Sequence, residues 1–233
     1  MTGKRIQLID GLRGIAVVLM VIHHFLYDLV YFIGINRLWF DNPVFNFLHY
    51  IFAGLFILLS GVSSRFSRSN TKRGLKVIGV AILLTVVTYL MDMPIIFGIL
   101  HFLVVCMVLY GLTQRFWERC KGVWFPVLCV ALIAVSAWAV NNINIESRWL
   151  WMFGWTYPDF VSFDYFPLLP WMFVFLLGTW LGGVIREGKM PKWFYDADMP
   201  LFPKIGRKSL IIYIIHQPVL YCITMVIKML TQR

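Results

Sequence analysis

Seven long apolar stretches divide the chain, at about residues 10–33, 44–63, 74–91, 95–113, 123–140, 165–184 and 207–228. Each approaches the roughly 20 residues a helix needs to cross a ~30 Å hydrocarbon layer. The run from Val77 to Val87 is apolar on every face, which fits a lipid-embedded helix and not a half-buried strand. The period-two alternation of a membrane β-barrel is absent. The pattern predicts an all-α integral membrane protein, a single bundle of about seven transmembrane helices, with residues 1–233 forming one domain. The stretch from Met190 to Lys204, with Pro191, Pro200 and Pro203, reads as an irregular loop.

Composition strengthens this reading: 60% of residues are hydrophobic, 14% are charged and the mean hydropathy is +0.77. The net charge of +10 suggests a nucleic-acid partner until its distribution is read. If the segments alternate, Lys4, Arg5, Arg13, the Arg65 to Lys76 cluster, Arg115, Arg119, Lys121 and the groups from Arg186 to Lys208 fall on one side. Arg37, Arg148, Lys228 and Arg233 fall on the other. Such a skew predicts a cytoplasmic amino terminus and an external carboxy terminus, with lipid and not nucleic acid as the partner. Met1 to Arg5 is followed by a long apolar run without a small-residue cleavage site, so a signal peptide is disfavoured. Cys106, Cys120, Cys129 and Cys222 show no metal-ligand or redox spacing, and no metal is expected.

Ionisable groups inside the apolar segments are costly unless they face partners or water, and so point to function. Arg13 and His24 are eleven positions apart on the first segment. Eleven steps of about 100 degrees return nearly to the same azimuth, and Asp28 falls on that stripe as well. An imidazole titrating near neutrality suits general-base work, and a carboxylate one turn away is expected to orient it. Counting about 1.5 Å per residue from Ile9 puts His24 some 22 Å along the helix, past the midplane, and about 16 Å beyond Arg13. His101 and His216 overlap it in depth. His23 and His49 read as packed side chains. No serine or cysteine shares the stripe as a nucleophile, which disfavours a triad hydrolase.

Two further segments carry candidate contacts. Gly61 to Arg73 combines hydroxyls and turn amides with Arg65, Arg68, Lys72 and Arg73, a mixture that either holds phosphates or only sets orientation. The connection from Asn141 to Asp164 carries Trp149, Trp151, Trp155 and Tyr157. It is either an interfacial aromatic belt or a stacking floor for a sugar.

The opening Arg5-Ile6 and Ile9-Asp10-Gly11-Leu12-Arg13-Gly14-Ile15-Ala16, ending in His24, resembles in outline the first helix of the acyltransferase-3 enzymes. Four further pieces resemble the bacterial relatives of heparan-alpha-glucosaminide N-acetyltransferase. They are Leu59 to Ser64, Phe97 to Phe102, Asp164 to Trp171, and Ile205 to Leu210 continuing through Tyr213 to His216-Gln217-Pro218. The resemblance implies a transmembrane acyltransferase of the bacterial plasma membrane. It would take an acetyl group from cytosolic acetyl-CoA to a glycan or small-molecule acceptor on the far side. His24 would then be the base or acyl relay, with Asp28 and Arg13 completing the catalytic set. Arg65, Arg68, Lys72, Arg73, Arg207 and Ser209 would bind the donor, and His101, His216, Trp155 and Asp164 the acceptor. The lysosomal members have more spans and a candidate histidine in the loop after the first helix, whereas Asn36 to Asn46 contains none. A transporter or proton-coupled channel lined by the same stripe is the alternative from another class, although no repeat supports it. Acceptor identity, O- versus N-transfer and homo-oligomerisation stay open.

Overall fold

The computed structural model describes residues 5–40, 42–120 and 122–231. Lys4, Lys121 and Arg233 of the charge distribution lie outside the described residues. Among the described residues seven helices are long and apolar enough to cross a membrane, one on each of the seven apolar stretches. No strand forms among the described residues beyond an isolated bridge between Phe97 and Tyr165.

The helices are α1 (Gln7–Asp28), α2 (Pro43–Phe66), α3 (Asn70–Leu90), α4 (Ile99–Trp117), α5 (Trp124–Asn142), α6 (Leu168–Arg186) and α9 (Ser209–Thr231), with the short α7 (Lys192–Asp196) and α8 (Phe202–Arg207) before the last. Their ends follow local chemistry. The Asn42 side chain accepts from the Val44 amide at 2.9 Å, with Pro43 behind it, where a missing amide costs no helical bond. Ser69 accepts from the Lys72 amide at 3.3 Å and caps α3. Helix α1 widens directly after Asp28 into a π-turn, Leu29–Ile33, and stops at Gly34 with φ 81°, a left-handed conformation suited to glycine.

The chain forms two compact units. One takes residues 1–56 and 190–233, the other residues 57–189. In the first, α1 packs on α8 and α9. Gly14 meets the backbone carbonyl of Phe202, and Gly206 meets that of Asp10. A β-carbon at either place would collide with backbone, so the two glycines let α8 lie directly on α1. The Gln7 side chain also accepts from the Met199 amide at 3.4 Å. Residues 190–204 are therefore not wholly irregular, as the prolines suggested. Pro191 stands at the N-cap of α7 and Pro203 in the first turn of α8, positions that tolerate proline. Ala16 and Val17 of α1 and Leu220 of α9 are buried.

In the second unit α3 packs on α4 and α5 on α6, around the buried Ile57, Val62, Phe102, Tyr110, Phe175 and Cys129. The fourth and sixth spans begin later than the apolar pattern suggests, at Ile99 and Leu168. The residues before them pair instead. The Phe163 amide donates to Pro94 carbonyl at 3.0 Å, and that of Phe166 to Phe97 carbonyl at 2.9 Å.

Candidate functional site

His24 on α1 holds its Nδ1 2.9 Å from the Met20 carbonyl oxygen. A carbonyl only accepts, so Nδ1 of the neutral ring carries the proton and Nε2 keeps its lone pair. On α9 His216 repeats the arrangement, with Nδ1 2.6 Å from the Tyr213 carbonyl oxygen. Its Nε2 is buried with no hydrogen-bond partner among the described residues. The two rings stand edge to face with centroids 4.9 Å apart and planes at 78°. Two helices thus bring together two imidazoles whose ε nitrogens are both acceptors.

Asp28 is fully buried, and Gln217 Nε2 donates to its Oδ1 at 2.9 Å and its Oδ2 at 3.2 Å. The carboxylate lies within electrostatic reach of His24 but does not set its tautomer, contrary to the expectation from the stripe. Helical side chains lean towards the amino terminus, so the His24 ring reaches back a turn to Met20. Gln217 is the residue that sequence reasoning missed. Its signal was a carboxamide standing between His216 and Pro218 in an otherwise apolar helix.

Behind His24 the imidazoles continue. His23 stacks on Phe45 with centroids 5.0 Å apart and lies 4.3 Å from His49. The His23 and His24 rings stand edge to face with centroids 5.7 Å apart. Four histidines of the first unit therefore run from α2 through α1 to α9.

Arg13 does not join them. Its Nη1 pairs with Asp10 Oδ1 at 3.3 Å, and both side chains are largely buried. Eleven residues of helix, about 16 Å, separate it from His24. It sits where α8 crosses α1, at the end of the unit that also carries the exposed Arg207 and the half-buried Ser209.

The remaining candidates belong to the second unit. Arg65 is not a free cation: its Nη1 donates to Tyr110 Oη at 3.2 Å and pairs with Glu118 Oε1 at 3.3 Å. Its own carbonyl accepts from Arg186 Nη1 at 3.4 Å. Arg68 and Lys72 are exposed and Arg73 is half-buried. Close by, Asn70 is buried and donates through Nδ2 to the Ser64 carbonyl at 2.9 Å.

His101 and Asp164 do come together. Thr85 Oγ1 donates to the Ile95 carbonyl at 2.8 Å, and so accepts from His101 Nε2 at 3.0 Å. Asp164 Oδ2 accepts from the Ile99 amide at 3.2 Å. It caps α4, a role that the preceding Gly98 has no side chain to perform. A β-carbon on Gly98 would strike that carboxylate. Trp155 donates through Nε1 to the Ile143 carbonyl at 2.8 Å, closing the end of α5. Tyr165 donates its hydroxyl to the Trp151 carbonyl, and burial pushes its phenol up to about 12. Asp164 and Trp155 therefore hold the loop in place, whatever else they contact.

The model of one protein family, heparan-alpha-glucosaminide N-acetyltransferase, catalytic, matches residues 5–218. The match runs through both units and takes in Arg13, His24, Asp28, His216 and Gln217. No curated protein and no solved structure matches the chain significantly. With nearly its whole length matched, the chain belongs to the heparan-alpha-glucosaminide N-acetyltransferase catalytic family and is a membrane-embedded acetyltransferase.

Proposed function

We propose that the chain takes an acetyl group from acetyl-CoA on the cytoplasmic side and delivers it to an acceptor, a sugar or other glycan component, on the outer side of a bacterial plasma membrane. The observation that carries this reading is the His24 tautomer. With Nδ1 committed to Met20 carbonyl, Nε2 is an available base on a helix long enough to span the bilayer.

In the step we envisage, His24 Nε2 takes the proton from the acceptor's amine or hydroxyl as that atom bonds to the acetyl carbon. The thioester C–S bond breaks, and the CoA thiolate finally receives the proton. Asp28 stands one turn away, and its carboxylate form favours the imidazolium that forms. Arg13 and the end of α8, with Arg207 and Ser209, are the phosphate contacts offered by the first unit. Arg68, Lys72 and Arg73 are those offered by the second, where point charges and forked guanidinium groups suit phosphate. Arg65, committed to Glu118 and Tyr110, supports that segment from beneath. His101 and His216 are the acceptor-side histidines, and Trp155 and Asp164 shape the loop beside His101.

The test uses purified protein in nanodiscs. Acetyl-CoA should bind, and labelled acetyl should pass from it to an amino sugar or a hydroxylated sugar. Arg207→Gln and Arg68→Gln, made separately, should weaken donor binding in whichever segment holds the phosphates, and added salt should weaken it further. Wild-type protein with no affinity for acyl-CoA in any lipid composition would overturn the reading.

A further inference from the structure

The catalytic reading uses one imidazole, yet the first unit presents two in the same state. His24 and His216 each spend Nδ1–H on a carbonyl of their own helix, so each turns out a bare Nε2. The rings stand edge to face with centroids 4.9 Å apart. Gln217 commits its Nε2 to Asp28, which leaves its buried Oε1 with no hydrogen-bond partner among the described residues. His216 Nε2 is equally without one. Buried acceptors without a donor cost free energy, and two neighbouring imidazole lone pairs are satisfied together by a single water that donates to both.

We propose that His216 is the proton partner of His24, the two rings passing one proton between them through a bridging water during transfer. This rests on His24 acting as the base in acetyl transfer. When the acceptor's N–H or O–H proton moves to His24 Nε2, its attack on the acetyl carbon expels the thiolate. The proton is then shared with His216 Nε2 until the thiolate takes it, and both rings return to the neutral Nδ1–H form. No proton is gained or lost over the cycle. Because His216 acts through His24, it is a positioning residue for the proton. The other charged or titratable groups facing the pair are Asp28 and His23 from α1, His49 from α2 through His23, and Tyr213 from α9.

The experiment reads the imidazole ¹⁵N signals of histidine-labelled protein in nanodiscs across a pH titration, alongside labelled-acetyl transfer. Two rings that share a proton titrate as a pair, with the same two steps in both signals. In His216→Gln the His24 signal should show one step, and kcat should fall about a hundredfold with KM for acetyl-CoA unchanged. Independent titration of His24 and His216 in the wild type would overturn the pairing, as would a folded His216→Gln with wild-type kcat. The wild-type titration needs no variant to fold. Paired signals in a protein that transfers no acetyl would sink the transferase reading and leave the pair standing. Transfer with independent signals would do the reverse.

Discussion

Asp28 is a fully buried carboxylate whose donor is the carboxamide of Gln217, 189 positions along the chain. Removing that donor by Gln217→Leu leaves both oxygens without it and should cost roughly 1–3 kcal/mol, read as a lowered unfolding temperature in nanodiscs; an unchanged temperature would show the pair to be idle. Asp28→Asn separates stability from chemistry. A rotated Gln217 can still bond the amide, so folding should persist while transfer drops at least tenfold for want of the negative charge. At this scale the sequence was legible where a residue offended its surroundings. His24, Asp28 and His216 stand out because ionisable groups rarely occupy apolar helices. What they bond to was not legible. The Met20 carbonyl is backbone and leaves no mark in the sequence, and Gln217 meets Asp28 only through the fold. The partners of Arg65 were hidden for the same reason, since Glu118 and Tyr110 are distant in sequence.

The seven spans were visible because apolar length alone defines them. Their starts were less so, because residues 94–97 and 163–166 are apolar enough to pass for helix yet bond to each other. Helices α7 and α8 were hidden by their prolines, and α8 exists because Gly14 and Gly206 let it rest on α1. Gly206→Val should therefore undock α8 and abolish folding, measured as loss of the monodisperse detergent-solubilised protein. Gly79→Ala on α3, where a β-carbon meets nothing within 4 Å, should stay within about 1 kcal/mol of wild type. The loop before α6 carries a pH signature. The folded Tyr165 phenol is raised to about 12 against an ordinary value near 10. Its contribution is therefore full below about pH 10 and is lost as pH rises towards 12. Tyr165→Phe should be less stable than wild type at pH 8, and the gap should close by pH 12; a gap independent of pH would contradict that origin.

For the molecule as a whole, the distribution of charge along the chain predicts the direction of transfer. The basic side should face the cytoplasm. In a background without Cys120 and Cys222, a cysteine at Ser147 should react with an impermeant maleimide added to intact cells, and one at Lys189 only after permeabilisation. The reverse pattern would invert the proposed path from donor to acceptor. The most direct test of the whole account compares wild type with His24→Ala in acetyl-CoA-loaded proteoliposomes. The account predicts equal acetyl-CoA affinity and equal unfolding temperature, with labelled-acetyl transfer falling to the level of empty liposomes. A folded His24→Ala protein that transfers acetyl at the wild-type rate would contradict it.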